Sequence, residues 1–255
     1  MAVSRRPPPV LLVHGAGGDV WEWRLWRLVL GAAGLDPRPL SLRPVPGGPA
    51  ATRLEDYEAQ VRRALAALAR PRAVLGASLG GLLALRAAAE ADAVAAICPV
   101  PPAGTPGWPA PGQRRRFPRV VRWSTEASLE GTRRALAEAP AWVARWALRR
   151  WRDESGAVLE AVHAGVPVAP PPVPALVVHG GADHFVPAEA ARHAARRLGA
   201  DWVLLEGVSH LGILLGPRAR EAAGTAAAWL AAALRRAGTP SAKGIQPGGI
   251  SAGES

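Results

Sequence analysis

The stretch Val74 to Gly81, Val-Leu-Gly-Ala-Ser-Leu-Gly-Gly, constrains the fold of this chain more than any other. A short apolar run meets a serine held between glycines, and an apolar, alanine-rich segment follows at once. The pattern reads as strand, sharp turn, helix. A side chain at Gly76 or Gly80 would collide with the neighbouring strand or with the helix packing back over it. Such a turn lifts the Ser78 hydroxyl above the edge of a sheet, and the backbone N–H of Leu79 points into the same space. A nucleophile and half of an oxyanion hole can thus come from one turn. Taken alone, the motif is also a plain packing solution, so the rest of the chain has to decide.

The rest alternates. Pro9 to Val13 reads as a short buried strand ending in His14-Gly15-Ala16-Gly17-Gly18, a loop whose backbone N–H groups can approach a ligand closely. Trp21, Leu25, Leu28, Val29 and Ala32 recur at helical spacing, with Gly34 as a stop. Pro39 to Leu42 reads as a second strand, Leu54 to Arg70 as a helix, Ala73 to Gly76 as the strand into the serine turn, Leu79 to Ala91 as its helix, and Ala93 to Val100 as a further strand. After a break, Pro174 to Val178 and Trp202 to Leu205 read as strands, with helices from Ala188 to Leu198 and from Pro217 to Ala237. Repeated β-α units imply an α/β fold with a mostly parallel central sheet flanked by helices on both faces. With 255 residues, 49% of them hydrophobic, one large domain suits the chain better than two.

The break runs from Pro101 to Pro172 and is mainly helical and tryptophan-rich. It reads as a cap inserted over the carboxyl edge of the sheet, which divides the chain into a core (1–100 and 173–237), a helical cap (101–172) and a Gly-, Pro- and Ser-rich disordered tail (238–255). Trp142 and Trp146 stand four apart on one helix face, either as the core of the cap or as a wall of an apolar pocket.

Composition narrows the partners. The formal charge is +11, but the basic residues are almost all arginine and are scattered; the densest group is Arg114-Arg115-Arg116 with Arg119 and Arg122 behind it. No recognition helix, RNA-binding aromatic motif or zinc-ligand spacing accompanies them, so a solvated face is expected and nucleic acid is not. No apolar run approaches the ~20 residues of a membrane span. Arg5-Arg6 before Val10-Leu11-Leu12-Val13 is too short an apolar stretch for a signal peptide, so a cytoplasmic location is expected. The single Cys98 lies in an apolar strand and reads as a small core residue.

Three polar residues fall in loops after successive strands: Ser78, Asp183 in Gly181-Ala182-Asp183, and His210 in Gly207-Val208-Ser209-His210. A serine needs a base to become nucleophilic near neutral pH, and the base needs a carboxylate to hold its tautomer and stabilise its charged form. The chain order Ser, Asp, His is the one such folds use. With His14-Gly15-Ala16-Gly17 and Val186-Pro187 in place, the chain resembles the α/β-hydrolase superfamily from about Pro8 to Leu234, excepting the cap.

The resemblance implies a serine hydrolase of the esterase kind that acts on a carboxylic ester or related acyl compound through an acyl-enzyme, with no metal and no cofactor. It makes Ser78 the nucleophile, His210 the base and then acid, Asp183 its orienting partner, and the N–H groups of Ala16 and Leu79 the oxyanion hole. Glu206 is the reserve acid. Candidate substrate contacts are His14, which also reads as a structural residue of the oxyanion loop, Trp142 and Trp146, with one of Arg114, Arg115, Arg116 or Arg145 available to an anionic end. His179 and His184 read as local hydrogen-bonding residues, and His163, in the cap, as either exposed or facing substrate. Two departures bear on the pocket: Ser41-Leu42-Arg43-Pro44 replaces the frequent Asp-x-Arg-Gly, and Ala77 stands where a larger residue is common.

Two rivals remain. A ligand receptor on the same fold keeps a triad without turnover. A dinucleotide-binding oxidoreductase would use Gly15-Ala16-Gly17 and Asp36, but Val20 occupies the third glycine position and Asp36 precedes a strand instead of ending one.

Overall fold

The computed structural model describes residues 6–109 and 116–238. The expectations for Arg114, Arg115 and nearly all of the tail, 239–255, lie outside the described residues.

Apolar runs in which successive residues are buried form the central strands of the sheet. In β1 (Pro9–Val13), Val10 and Leu12 face one core, with Trp26 and Leu30, while Leu11 and Val13 face the other, with Tyr57, Val61 and Leu82. That two-sided burial is the signature of a parallel sheet covered on both faces. The chain continues through α1 (Arg24–Ala32), β2 (Asp36–Leu40), α2 (Leu54–Ala66), β3 (Ala73–Ala77), α3 (Leu79–Arg86) and β4 (Ala93–Ile97). An insertion follows: a two-stranded antiparallel ribbon of β5 (Val120–Val121) and β6 (Glu154–Ser155), with α4 (Trp123–Glu126), α5 (Leu129–Ala135) and α6 (Ala141–Leu148) between its strands and α7 (Gly156–Ala164) after it. The sheet resumes with β7 (Ala175–Gly180), α8 (Ala188–Leu198) and β8 (Asp201–Leu205), and the chain closes with α9 (Gly212–Leu215) and α10 (Ala219–Ala237).

The six-stranded sheet has the order β2-β1-β3-β4-β7-β8, parallel throughout. From β1 the chain moves to one edge, and from β3 it moves to the other. The carboxyl ends of β1 and β3 therefore flank the crevice where such sheets bind ligands. Strand β2 starts earlier than Pro39 because Asp36-Pro37-Arg38-Pro39 pairs with β1 as an edge strand. The two prolines have the same parity, so their missing N–H groups fall on the free side. Asp36 opens β2 and pairs with Arg38 at the end opposite the crevice, which removes the ribose-binding acid that a dinucleotide site requires. Among the described residues no helix is long and apolar enough to cross a membrane.

Candidate active site

Ser78 links β3 to α3 with φ 52° and ψ −117°, a conformation that non-glycine residues adopt only when the surroundings enforce it. The enforcement is visible on both sides. A Cβ at Gly76 would lie 2.0 Å from the Gly80 carbonyl oxygen, and one at Gly80 would lie 2.2 Å from that of Val13. The first turn of α3 thus rests directly on the ends of β3 and β1. The Ser78 N–H donates to Ile97 O (2.9 Å), and its carbonyl accepts from Leu82 N–H and Val100 N–H. Among the described residues no protein acceptor takes the backbone N–H of Ala16 or Leu79.

Asp183 lies in the loop after β7. Its Oδ1 accepts Phe185 N–H (2.8 Å) and Val186 N–H (3.0 Å), while Oδ2 accepts His210 Nδ1–H at 2.6 Å. Burial alone would raise the Asp183 carboxyl, but the charge and hydrogen bond of His210 override it and hold the group below its ordinary range. Burial would likewise lower His210, and the Asp183 carboxylate instead holds the imidazole above its ordinary value. Nδ1 is committed to the acid, so Nε2 is the nitrogen left for chemistry. The reserve acid Glu206 is exposed and makes no such bond. Cys98 stands behind the pair with φ 41°; the donor atoms of Cys98, Asp183 and His210 lie within 4.8 Å of one another, and burial first, then Asp183, pushes the thiol up.

Ser78 and His210 open onto one cavity of about 630 Å³. Its aromatic wall is Trp108, Phe117, Trp123, Trp151 and Phe185, four of them from the insertion. This corrects the sequence reading. Trp142 is 63% exposed, and Trp146 packs edge-on against Trp21 and under Arg150; neither lines the cavity. Arg116 and Arg145 are exposed and off the wall, whereas Arg134 is on it. His14 does not line the cavity either. Its Nδ1 bonds to Gly15 O (2.8 Å), its Nε2 accepts Leu42 N–H (3.0 Å), and burial lowers it to about 4, so it stays neutral and ties the glycine loop to the segment after β2. His163 does reach the wall, between Trp108 and Phe117, and so does His184. His179 is a buried prop whose Nε2 bonds to Val186 O and whose ring stacks on Trp202.

The sequence profile of the family described as Alpha/beta hydrolase matches residues 10–238, almost the whole described chain. The chain belongs to the alpha/beta hydrolase family. Among curated protein sequences none matches. Solved structures similar to it include a monoacylglycerol lipase from Paleococcus ferrophilus (19% identity, TM-score 0.68, 89% of this chain and 96% of that one). Polyneuridine aldehyde esterase is similar at 15% identity and a TM-score of 0.68, covering 88% of this chain and 99% of that one. A pyrethroid hydrolase from Sphingobium faniae JZ-2 is similar at 19% identity and a TM-score of 0.67, covering 87% and 97%. At these identities the likeness speaks for the fold.

Several residues that build the site of this alpha/beta hydrolase escaped the sequence reading. Arg152 donates to Asp19 (2.7 Å), Ser41 and the Leu42 carbonyl, and its N–H donates to Gly17 O. Glu154 accepts Gly17 N–H (3.0 Å) with one oxygen and Tyr57 O–H (2.9 Å) with the other. At the opposite end, Glu138 accepts Ser209 N–H with both oxygens, the Ser209 hydroxyl donates to Ala135 O, and Leu211 N–H donates to the same carbonyl. The insertion therefore holds both the glycine loop and the histidine loop. Glu22 is the last of these residues: buried in the cavity wall, it accepts Gly15 N–H at 3.0 Å. Its one legible signal is an acid set between Trp21 and Trp23, four residues past the end of the glycine loop.

Proposed function

We propose that this alpha/beta hydrolase is a serine esterase that works through an acyl-enzyme. The observation that carries the reading is the 2.6 Å bond from His210 Nδ1 to Asp183 on a cavity that the constrained Ser78 also lines. Ser78 Oγ attacks the ester carbonyl while His210 Nε2 takes its proton. The N–H groups of Ala16 and Leu79 receive the charge that develops on the carbonyl oxygen. Collapse expels the alcohol, protonated by His210; a water, deprotonated by His210, then attacks the acyl carbonyl, and the acid leaves as Ser78 recovers its proton. In this reading residues 101–172 act as the cap. Their aromatic side chains receive an apolar acyl or alkyl group, in keeping with the lipase and esterase neighbours, and Arg134 is the cation available to a polar end.

A fluorophosphonate probe should label the wild type and leave Ser78→Ala unlabelled; equal labelling of both removes Ser78 from the reaction. Across p-nitrophenyl esters of rising chain length, kcat/KM should climb, and Trp123→Ala or Trp151→Ala should flatten that climb while Trp142→Ala leaves it intact. A wild type with neither label nor turnover would return the chain to the ligand-receptor reading.

A further inference from the structure

Glu22 is an expensive residue to keep. Its side chain is 1% exposed, in a wall that also carries Ser78 and His210. One carboxyl oxygen accepts Gly15 N–H, but the other, Oε1, has no hydrogen-bond partner among the described residues. A buried carboxyl with one oxygen unanswered is destabilising, and such groups cluster where a ligand completes them. The backbone makes room for this oxygen: a Cβ on Gly18 would sit 1.7 Å from Oε1. An added Cβ on Gly15 would lie 3.9 Å from Oε1 and 3.3 Å from Ser78 Cβ, so a group that meets Oε1 lies close to the serine and, in the reading above, to the reacting carbonyl.

We propose that Glu22 is a specificity-determining residue that accepts a hydrogen bond from a hydroxyl on the substrate, carried near the scissile carbonyl. The site thus selects hydroxyacyl esters over their deoxy counterparts. This deepens the esterase reading and rests on it. A hydroxyl fits better than a protonated amine, because an amine would stand beside the imidazolium that His210 must become. The Gly15 N–H hydrogen bond favours the carboxylate, and the charged and titratable groups that act on Glu22 are His210, Asp19 and Arg152. Burial is the strongest influence and lifts its carboxyl to about 7, so the group is in part ionised at neutral pH and a strong acceptor there.

The test compares 2- and 3-hydroxyacyl p-nitrophenyl esters with the matching deoxy esters, on enzyme whose active sites are counted by fluorophosphonate. The readout is the ratio of kcat/KM values for each pair, from which any general loss of activity cancels. Wild type should favour one hydroxylated ester by roughly tenfold or more, the scale of a hydrogen bond to a charged acceptor. Glu22→Gln should bring the ratio to about one: its amide oxygen keeps Gly15 N–H, and an NH2, which cannot accept, replaces Oε1. Gly18→Ala, which displaces Oε1 while leaving the carboxyl in the chain, should do the same and serves if Glu22→Gln folds poorly. A wild-type ratio near one for both pairs, or a ratio that survives both substitutions, overturns the assignment while leaving the esterase intact. Absence of label and of turnover on every ester overturns the esterase reading itself, and this one with it.

Discussion

Asp183 spends both carboxyl oxygens on fixed donors, two backbone N–H groups and His210 Nδ1, so neither its position nor its charge is free to vary. Asp183→Asn should lower the rate of ester hydrolysis by about 10³-fold or more, and His210→Ala by at least as much. Near-normal turnover by Asp183→Asn, measured on a p-nitrophenyl ester, would sink the assignment. Two other buried groups oppose one another in their effect on stability. Glu22, at about 7 in the fold against an ordinary 4.5, binds its proton more tightly when folded, so stability is lost as pH rises through that window. His14, at about 4 against 6.5, does the reverse, and its contribution is lost as pH falls through 4. Between 4.5 and 6.5 the two slopes cancel in the wild type. Glu22→Gln removes one of them: by urea denaturation, its stability relative to wild type should rise by about 2.5 kcal/mol between about pH 5 and about pH 8. A difference that stays flat with pH would show that Glu22 is not buried as described.

At the scale of elements, the turn between β3 and α3 depends on the absence of two side chains. Gly80→Ala would press a methyl against two carbonyl oxygens of the β1 end, those of Val13 and His14, and backbone there cannot step aside. It should cost about 3 kcal/mol or more and lower Tm by roughly 6 to 12 °C, read by thermal denaturation. The segment between α5 and α6 makes a different prediction. Glu138 grips Ser209, next to His210, so Glu138→Ala should lower kcat and slow fluorophosphonate labelling by about tenfold while KM moves little; unchanged labelling would separate that segment from the histidine loop. What the sequence made legible follows the same division. The strands could be read because Val10 to Val13 and Ala93 to Ile97 bury successive residues on both faces, and the elbow because its glycines are local to it. The cavity wall could not. Trp142 and Trp146 do share a helix, but α4, α5 and α6 are only 4 to 8 residues long, and nothing local tells which neighbour a face will meet. The grip of Glu154 on Gly17 joins positions 137 residues apart, and that of Arg152 on Asp19 joins positions 133 apart, so spacing carries no trace of them.

At the scale of the molecule, the insertion and the sheet form one working unit, because the loop after β1 and the loop after β8 each make hydrogen bonds to the insertion. Loosening the insertion would disturb the glycine loop and the His210 loop together, while the central strands of the sheet, buried on both faces, stayed whole. The placement of Cys98 turns this into something that can be watched. It is the only thiol in the chain, it is 1% exposed, and it sits directly behind Asp183 and His210 at the end of β4. A disulfide reagent can reach it only when that part of the protein opens, so its rate of reaction, set against that of a free thiol, gives the free energy of local opening in the native state. The chain thus carries its own single-site reporter. Covalent occupancy of Ser78 should slow the reaction, and Glu138→Ala should quicken it at urea concentrations too low to unfold the sheet.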